Sequence, residues 1–248
     1  MNKKGIEALK GIKTEKQESK LENQELKTIV IGIPHTGLFH WQTMASLLSM
    51  QFVKGYQLKY HMIGSCLVYE AREAIAKFAM ESNADYIVYL DSDMVPPTDM
   101  LIKMINTFEQ MPDTGLVSGM AFKRIPPFQP CFYTKLAYDT KNLKPLLESP
   151  IKFPTEGLIE LQGVGMACCM LKTDVFRKIN APYFFPLPNV GEDLTFCLKM
   201  KHAGIKMYCD LSIDVGHVST IPIYKQNFEE CRDEHEKANN GEPLFKEG

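Results

Sequence analysis

A chain of 248 residues with 45% hydrophobic side chains is long enough for one sizeable core, or one core with an appendage. Its formal net charge of −2 gives no bulk attraction to nucleic acid or to an anionic membrane, and its longest uncharged apolar stretch, Gly163 to Leu171, is too short to span a bilayer. The N-terminus MNKKGIEALK lacks the apolar segment of a signal peptide, and seven scattered cysteines without a CxxC pair read as free thiols in a reducing compartment. A cytoplasmic protein is expected.

Residues 1–27 are rich in Lys, Glu and Gln and contain no aromatic residue, so they read as a charged extension that cannot bury enough surface to be a domain. TIVIGIP (28–34) is a β-branched run ending at proline, as a buried strand does. GLFHWQTMASLLSM (37–50) has helical character, QLKYHMI (57–63) alternates with period two, and Leu67, Ala71, Ile75 and Phe78 recur at helical spacing. DYIVYL (85–90) is continuously apolar, the mark of a strand covered on both faces. A helix over Thr98–Phe108 and a strand at GLVSGMA (115–121) complete a β-α-β-α-β-α-β series, which implies an α/β fold around a mostly parallel, Rossmann-like sheet flanked by helices.

The second half, 122–224, is less regular and reads as mixed structure. It has a strand-rich section at 129–171, a proline- and aromatic-rich loop APYFFPLPNVGED, and a helix from Glu192 to Ala203 that Gly204 is placed to stop. From Lys225 to Gly248 the sequence turns charged again and reads as a tail. The folded body is therefore expected at 28–224, as one domain with halves at 28–121 and 122–224.

The sharpest feature is DSD, where the apolar run Tyr86–Leu90 delivers Asp91 and Asp93 one residue apart. Ligands of open α/β sheets sit outside the carboxyl ends of the strands. On an extended segment, residues i and i+2 face one side. Two carboxylates so placed repel each other, and a divalent ion such as Mg²⁺ or Mn²⁺ resolves the conflict and can hold a diphosphate. The plainer alternative is that DSD caps the strand and opens the next helix.

SCLVYEAREAIAKFAMESNADYIVYLDSDMVPP resembles the donor-binding half of GT-A fold glycosyltransferases, particularly family-2-like enzymes. GVGMACCMLKTDVFRKI resembles that family's glycine-containing strand and helix, and GEDLTFCLKMKHAGIKMYCDLSIDVGH its acidic ED motif, helix and closing histidine. The resemblance implies a nucleotide-sugar donor with Mn²⁺ or Mg²⁺. Asp93, Asp91 and His217 would be metal ligands. Asp91 and Ser92 would also face the ribose and sugar, and Arg72 would position the nucleotide or orient the aspartates. Pro34, His35 and Thr36 would line the nucleobase pocket. Asp193, with Glu192 beside it, would be the catalytic pair, Asp193 acting as general base on the acceptor hydroxyl of an inverting enzyme.

MIGSC, after the second strand, carries no acidic residue where many relatives place a uracil contact, so UDP is only mildly favoured over GDP. The acceptor is open among glycan, lipid, protein and modified nucleic acid. Other readings stand beside these. Glu192 and Asp193 suit a helix N-terminus through the macrodipole alone. Arg72 has a structural ion-pair reading, and His217 that of an ordinary histidine. His40 and Trp41 read as helix packing, and Phe184–Phe185 as either an acceptor floor or a buried anchor. Lys123, Arg124, Lys135, Lys141 and Lys144 read as a solvated face. Rival functions are a nucleotidyltransferase, a non-catalytic nucleotide-sugar or glycan binder, and a scaffold.

Overall fold

In the computed structural model, residues 26–219 and 222–238 are described. Nearly all of the charged N-terminal extension therefore lies outside the described residues. The first half runs β1 (Lys27–His35), α1 (Trp41–Leu48), β2 (Tyr56–Gly64), α2 (Val68–Glu81), β3 (Tyr86–Leu90), a two-residue β4 (Met94–Val95), α3 (Met100–Gln110) and β5 (Thr114–Met120). The helix expected from residue 37 begins only at Trp41, because Gly37 takes a positive φ of 96° and the chain makes a loop there.

The second half adds β6 (Phe132–Tyr133), β7 (Lys135–Asp139), β8 (Lys144–Glu148), β9 (Leu158–Leu161), β10 (Gly163–Val164), β11 (Cys168–Lys172) and the one-turn α4 (Val175–Lys178). It closes with α5 (Glu192–His202), β12 (Lys206–Asp214), β13 (Gly216–Val218), β14 (Pro222–Ile223) and α6 (Lys225–Ala238). Gly204, at φ 69°, ends α5 as its sequence position predicts.

The central sheet has seven strands in the order β2-β1-β3-β11-β5-β12-β9. β1 is parallel to β2 and β3, and β12 is parallel to β5, whereas β11 and β9 run antiparallel to their neighbours. β11, arriving from the second half, wedges between β3 and β5 and ties the two halves into one sheet.

Side-chain alternation sorts the core onto two faces. Val30, Ile87 and Tyr89 meet α2 and α5 on one side, while Ile29, Ile31, Val88 and Leu90 meet α1 and α3 on the other. Gly32 is what lets α2 come close, since a Cβ there would stand 2.1 Å from Ile75 Cγ2.

The charged stretch after Lys225 is not a tail at its start. It forms α6, and Phe228, 4% exposed, stacks on Phe122 and Phe153. One buried aromatic, worth roughly 1.5–3 kcal/mol, anchors a helix whose other described side chains are mostly polar. Composition averaged over that stretch hides a single apolar residue.

Candidate active site

β3 is buried along its whole length and brings the chain to the carboxyl end of the sheet. The Asp91 N–H still continues the ladder by donating to the Ala167 carbonyl of the neighbouring β11 approach at 2.9 Å. The chain then turns: Met94 N–H donates back to the Asp91 carbonyl at 3.1 Å, and β4 leads away. The Ser92 carbonyl accepts from Thr43 Oγ1 at 3.1 Å, which pins this turn to α1. The i, i+2 argument for an extended segment therefore does not apply, and the two carboxylates face different partners.

Asp91 faces Arg72. The guanidinium, its side chain only 5% exposed, donates from Nη2 to both Asp91 oxygens at 3.0 and 3.1 Å. Its Nη1 donates to Glu192 Oε1 at the start of α5. Burial works against the guanidinium's charge, but Asp91, Glu192 and Asp193 outweigh it and hold Arg72 protonated. Burial raises the Asp91 carboxyl while the Arg72 charge opposes that rise. One buried arginine thus joins the DSD turn to the GED helix, 120 residues downstream of it. Glu192, expected beside Asp193 as part of a catalytic pair, spends its carboxylate on this bridge.

Asp93 faces the other way. β13 pairs antiparallel with β4, with His217 opposite Met94, and this brings His217 Nε2 to 3.4 Å from Asp93 Oδ2. The Val218 N–H donates to the Asp93 carbonyl at 2.8 Å and fixes the register. Arg124 Nη1 reaches the same Oδ2 at 3.3 Å from the loop after β5. Burial pushes the Asp93 carboxyl up, but the hydrogen bond and charge of His217 and the charge of Arg124 prevail and hold it below the usual carboxylate range.

Asp193 sits one residue into α5. Its Oδ1 accepts from the Leu194 N–H at 2.7 Å, and burial raises its carboxyl to about 6. A Cβ at Gly191 would lie 2.7 Å from Asp193 Oδ1, so a side chain there would have to displace that carboxylate. Cys131 and Tyr133 are near enough to feel the Asp193 charge. Burial pushes the Cys131 thiol up to about 12.

Of the expected base-pocket residues, Pro34 is buried at the end of β1, while His35 and Thr36 follow at the same sheet end as Asp91. The His35 ring covers Gly64, and its Nδ1 accepts from the Gly37 N–H at 3.0 Å. Trp41 is not packed as expected; it is 74% exposed. Phe184 proves to be a buried anchor, stacked on Phe196 with 4.5 Å between ring centroids. Glu73 holds that loop by accepting from the Tyr183 and Phe184 N–H groups at 2.8 and 3.0 Å. Arg124 is the site residue that sequence reasoning left on a solvated face; no local pattern distinguishes it from the lysines around it.

No family model matches the sequence, and the search of curated proteins returns no match. Solved structures do match. The crystal structure of A197 from STIV superposes with a TM-score of 0.56 at 19% identity, over 78% of this chain and 86% of that one. The crystal structure of GalNAc-T7 with UDP, GalNAc and Mn²⁺ superposes with a TM-score of 0.54 at 12% identity, over 85% of this chain. The fold is of the GT-A type. The match spans 48% of the GalNAc-T7 chain, about half its length.

Among the described residues no group of three or more His, Cys, Asp or Glu is arranged to hold a metal ion, and no helix is long and apolar enough to cross a membrane. Two donors nevertheless fit a divalent ion. His217 Nδ1 lies 2.7 Å from the Phe122 carbonyl, an acceptor only, so Nδ1 carries the proton. In the neutral ring the Nε2 lone pair then points at a carboxylate oxygen 3.4 Å away. Two acceptors face each other there, and either a proton or a cation between them relieves the conflict. A carboxylate oxygen and an imidazole nitrogen are both donors that first-row divalent ions accept.

Proposed function

We propose that this chain is a metal-dependent glycosyltransferase that moves one sugar from a nucleotide-sugar, UDP-linked in the first instance, to an acceptor hydroxyl. The observation that carries the reading is the facing pair Asp93 Oδ2 and His217 Nε2 at the carboxyl end of the sheet, with the imidazole tautomer set by the Phe122 carbonyl. Asp93 and His217 would hold the ion, with Asp91 beside them. The ion, when bound, supplies positive charge for the departing nucleoside diphosphate.

The protein's own residues divide the remaining work. Arg72 and Glu192 hold Asp91 in one orientation, so that its carboxylate meets the ribose or sugar hydroxyls with Ser92. Pro34, His35 and Thr36 flank the base. Asp193 takes the proton of the attacking acceptor hydroxyl. A carboxyl raised to about 6 is a stronger base than an ordinary aspartate and is still largely ionised at neutral pH. The acceptor, whether glycan, lipid, protein or modified nucleic acid, would enter beside loop 182–190.

The test is calorimetric binding of UDP, GDP and their sugar conjugates with Mn²⁺ and with EDTA, on wild type and Asp93→Ala. Metal-dependent binding that the variant loses supports the reading. Equal Mn²⁺–UDP binding by a folded Asp93→Ala protein refutes the metal assignment. One observation favours a second reading, a non-catalytic binder: Arg72 and Arg124 already neutralise Asp91 and Asp93 without an ion. Release of free sugar from a bound donor separates the two, since a binder releases none.

A further inference from the structure

Arg124 is the cation of this site that nothing else holds in place as firmly as Arg72 is held. It stands on the loop joining β5 to β6, whose stem is closed by backbone bonds from Lys123 N–H to the Gln129 carbonyl at 2.9 Å and from Cys131 N–H to the Ala121 carbonyl at 2.8 Å. Phe122, fully buried, fixes the base of this loop and also supplies the carbonyl that orients His217. The Arg124 side chain itself is 52% exposed and meets Asp93 Oδ2 at 3.3 Å, the oxygen that His217 Nε2 also faces.

The charges around it do not balance. Asp91, Asp93, Glu192 and Asp193 bring four carboxylates against the two guanidiniums of Arg72 and Arg124 and the imidazole of His217, so even with that ring protonated the carboxylates are in excess. Arg72 is enclosed and shared between two carboxylates, so it cannot leave. Arg124 is on the open side, and its ion pair with Asp93, exposed on the arginine side, is weaker than the enclosed bridges of Arg72. A divalent ion on Asp93 Oδ2 and a guanidinium on the same oxygen repel each other, so arrival of one disfavours the other. A donor's diphosphate would bring the negative oxygens that a released guanidinium binds best, through charge-assisted hydrogen bonds.

We propose that Arg124 is an exchangeable counter-ion: it neutralises Asp93 in the free protein, yields that oxygen to the divalent ion, and moves onto the diphosphate of the bound donor. This rests on the reading of the site as a nucleotide-sugar site. Arg124 thereby opposes binding of the metal alone and favours binding of metal and nucleotide together, which makes the site select the complete donor complex over the free ion.

The experiment compares wild type, Arg124→Ala and Arg124→Lys, first with Mn²⁺ alone, read by the electron paramagnetic resonance of the free ion, then with UDP and with GDP in saturating Mn²⁺ by calorimetry. Arg124→Ala should bind Mn²⁺ alone about two- to fivefold more tightly, the scale of one exposed ion pair. It should bind the better nucleotide about tenfold or more weakly, the scale of a lost charge-assisted bond. Arg124→Lys should fall between wild type and Arg124→Ala in both measurements. Unchanged or weaker Mn²⁺ binding by Arg124→Ala, or unchanged nucleotide binding, overturns the exchange while leaving the donor-site reading intact. If wild type binds neither nucleotide under any condition, the donor-site reading falls and takes the exchange with it.

Discussion

Asp91 and Asp93 are separated by one serine, yet they occupy opposite physical settings. The Asp91 side is closed: a guanidinium with a 5% exposed side chain bonds both of its oxygens and bridges to Glu192. The Asp93 side is open: its partners are a half-exposed arginine and an imidazole whose Nε2 stands 3.4 Å from its Oδ2. In the first setting the charges are committed to holding two segments of chain together. In the second, on the reading proposed above, they would be exchanged for a ligand. On that reading the motif is half scaffold and half socket, and the turn at Ser92 parts the two settings.

The largest effect should come from breaking the closed side. Arg72→Met leaves Asp91 and Glu192 without their buried partner, and the expected cost is about 3–5 kcal/mol in urea unfolding. A cost below about 1 kcal/mol would mean that the bridge does not bind the DSD turn to α5.

Next comes Asp193→Asn, which should lower transfer about 10²- to 10⁴-fold while leaving donor binding unchanged. Wild-type transfer should fall on the acid side with a midpoint near pH 6, as Asp193 takes up its proton. The same group makes a stability statement. Its native value lies above the ordinary 3.8, so its native form keeps a proton that the unfolded chain releases. That contribution is fully present below about pH 4 and is lost as pH rises through about 6. Asp193→Asn should therefore raise the melting temperature at pH 8 and leave it nearly unchanged at pH 4. An equal shift at both values would remove the buried carboxyl as its cause.

On the open side, Asp93→Ala should cost at least about tenfold in Mn²⁺-dependent nucleotide affinity, by the loss of one charged ligand, with melting behaviour close to wild type. The smallest effect belongs to Arg124→Ala. Removing one exposed ion pair should change stability by no more than about 0.5 kcal/mol. A loss near that of Arg72→Met would erase the contrast between the two sides.

The repeating apolar patterns made the first half legible. β1, β2, α2, β3, α3 and β5 lie within a residue or two of where periodicity places them, because a strand or helix buries one face with side chains close in sequence. Periodicity places the start of α1 too early because Gly37 takes the chain through a positive φ first. Trp41 reads as packed from the sequence because period marks a helix face without saying which neighbour covers it. The helix after Lys225 was hidden since one aromatic among charges leaves no periodic signal.

At the site, the sequence by itself determined which carboxylates stand at strand and helix ends: Asp91 and Asp93 after β3, Glu192 and Asp193 at the head of α5, with His217 downstream. Those placements depend on local pattern and chain order. Only the tertiary structure decided how the charges pair, because every decisive contact joins segments far apart in sequence. Arg72 meets Glu192 across 120 residues, and the His217 ring meets the Phe122 carbonyl across 95. β11 enters the sheet between strands that precede it in the chain. Hydrophobic periodicity reports burial to the nearest turn or pleat, whereas an ion pair depends on distances of a few ångströms set by the whole sheet, and on which group a turn such as Asp91–Met94 aims at which partner.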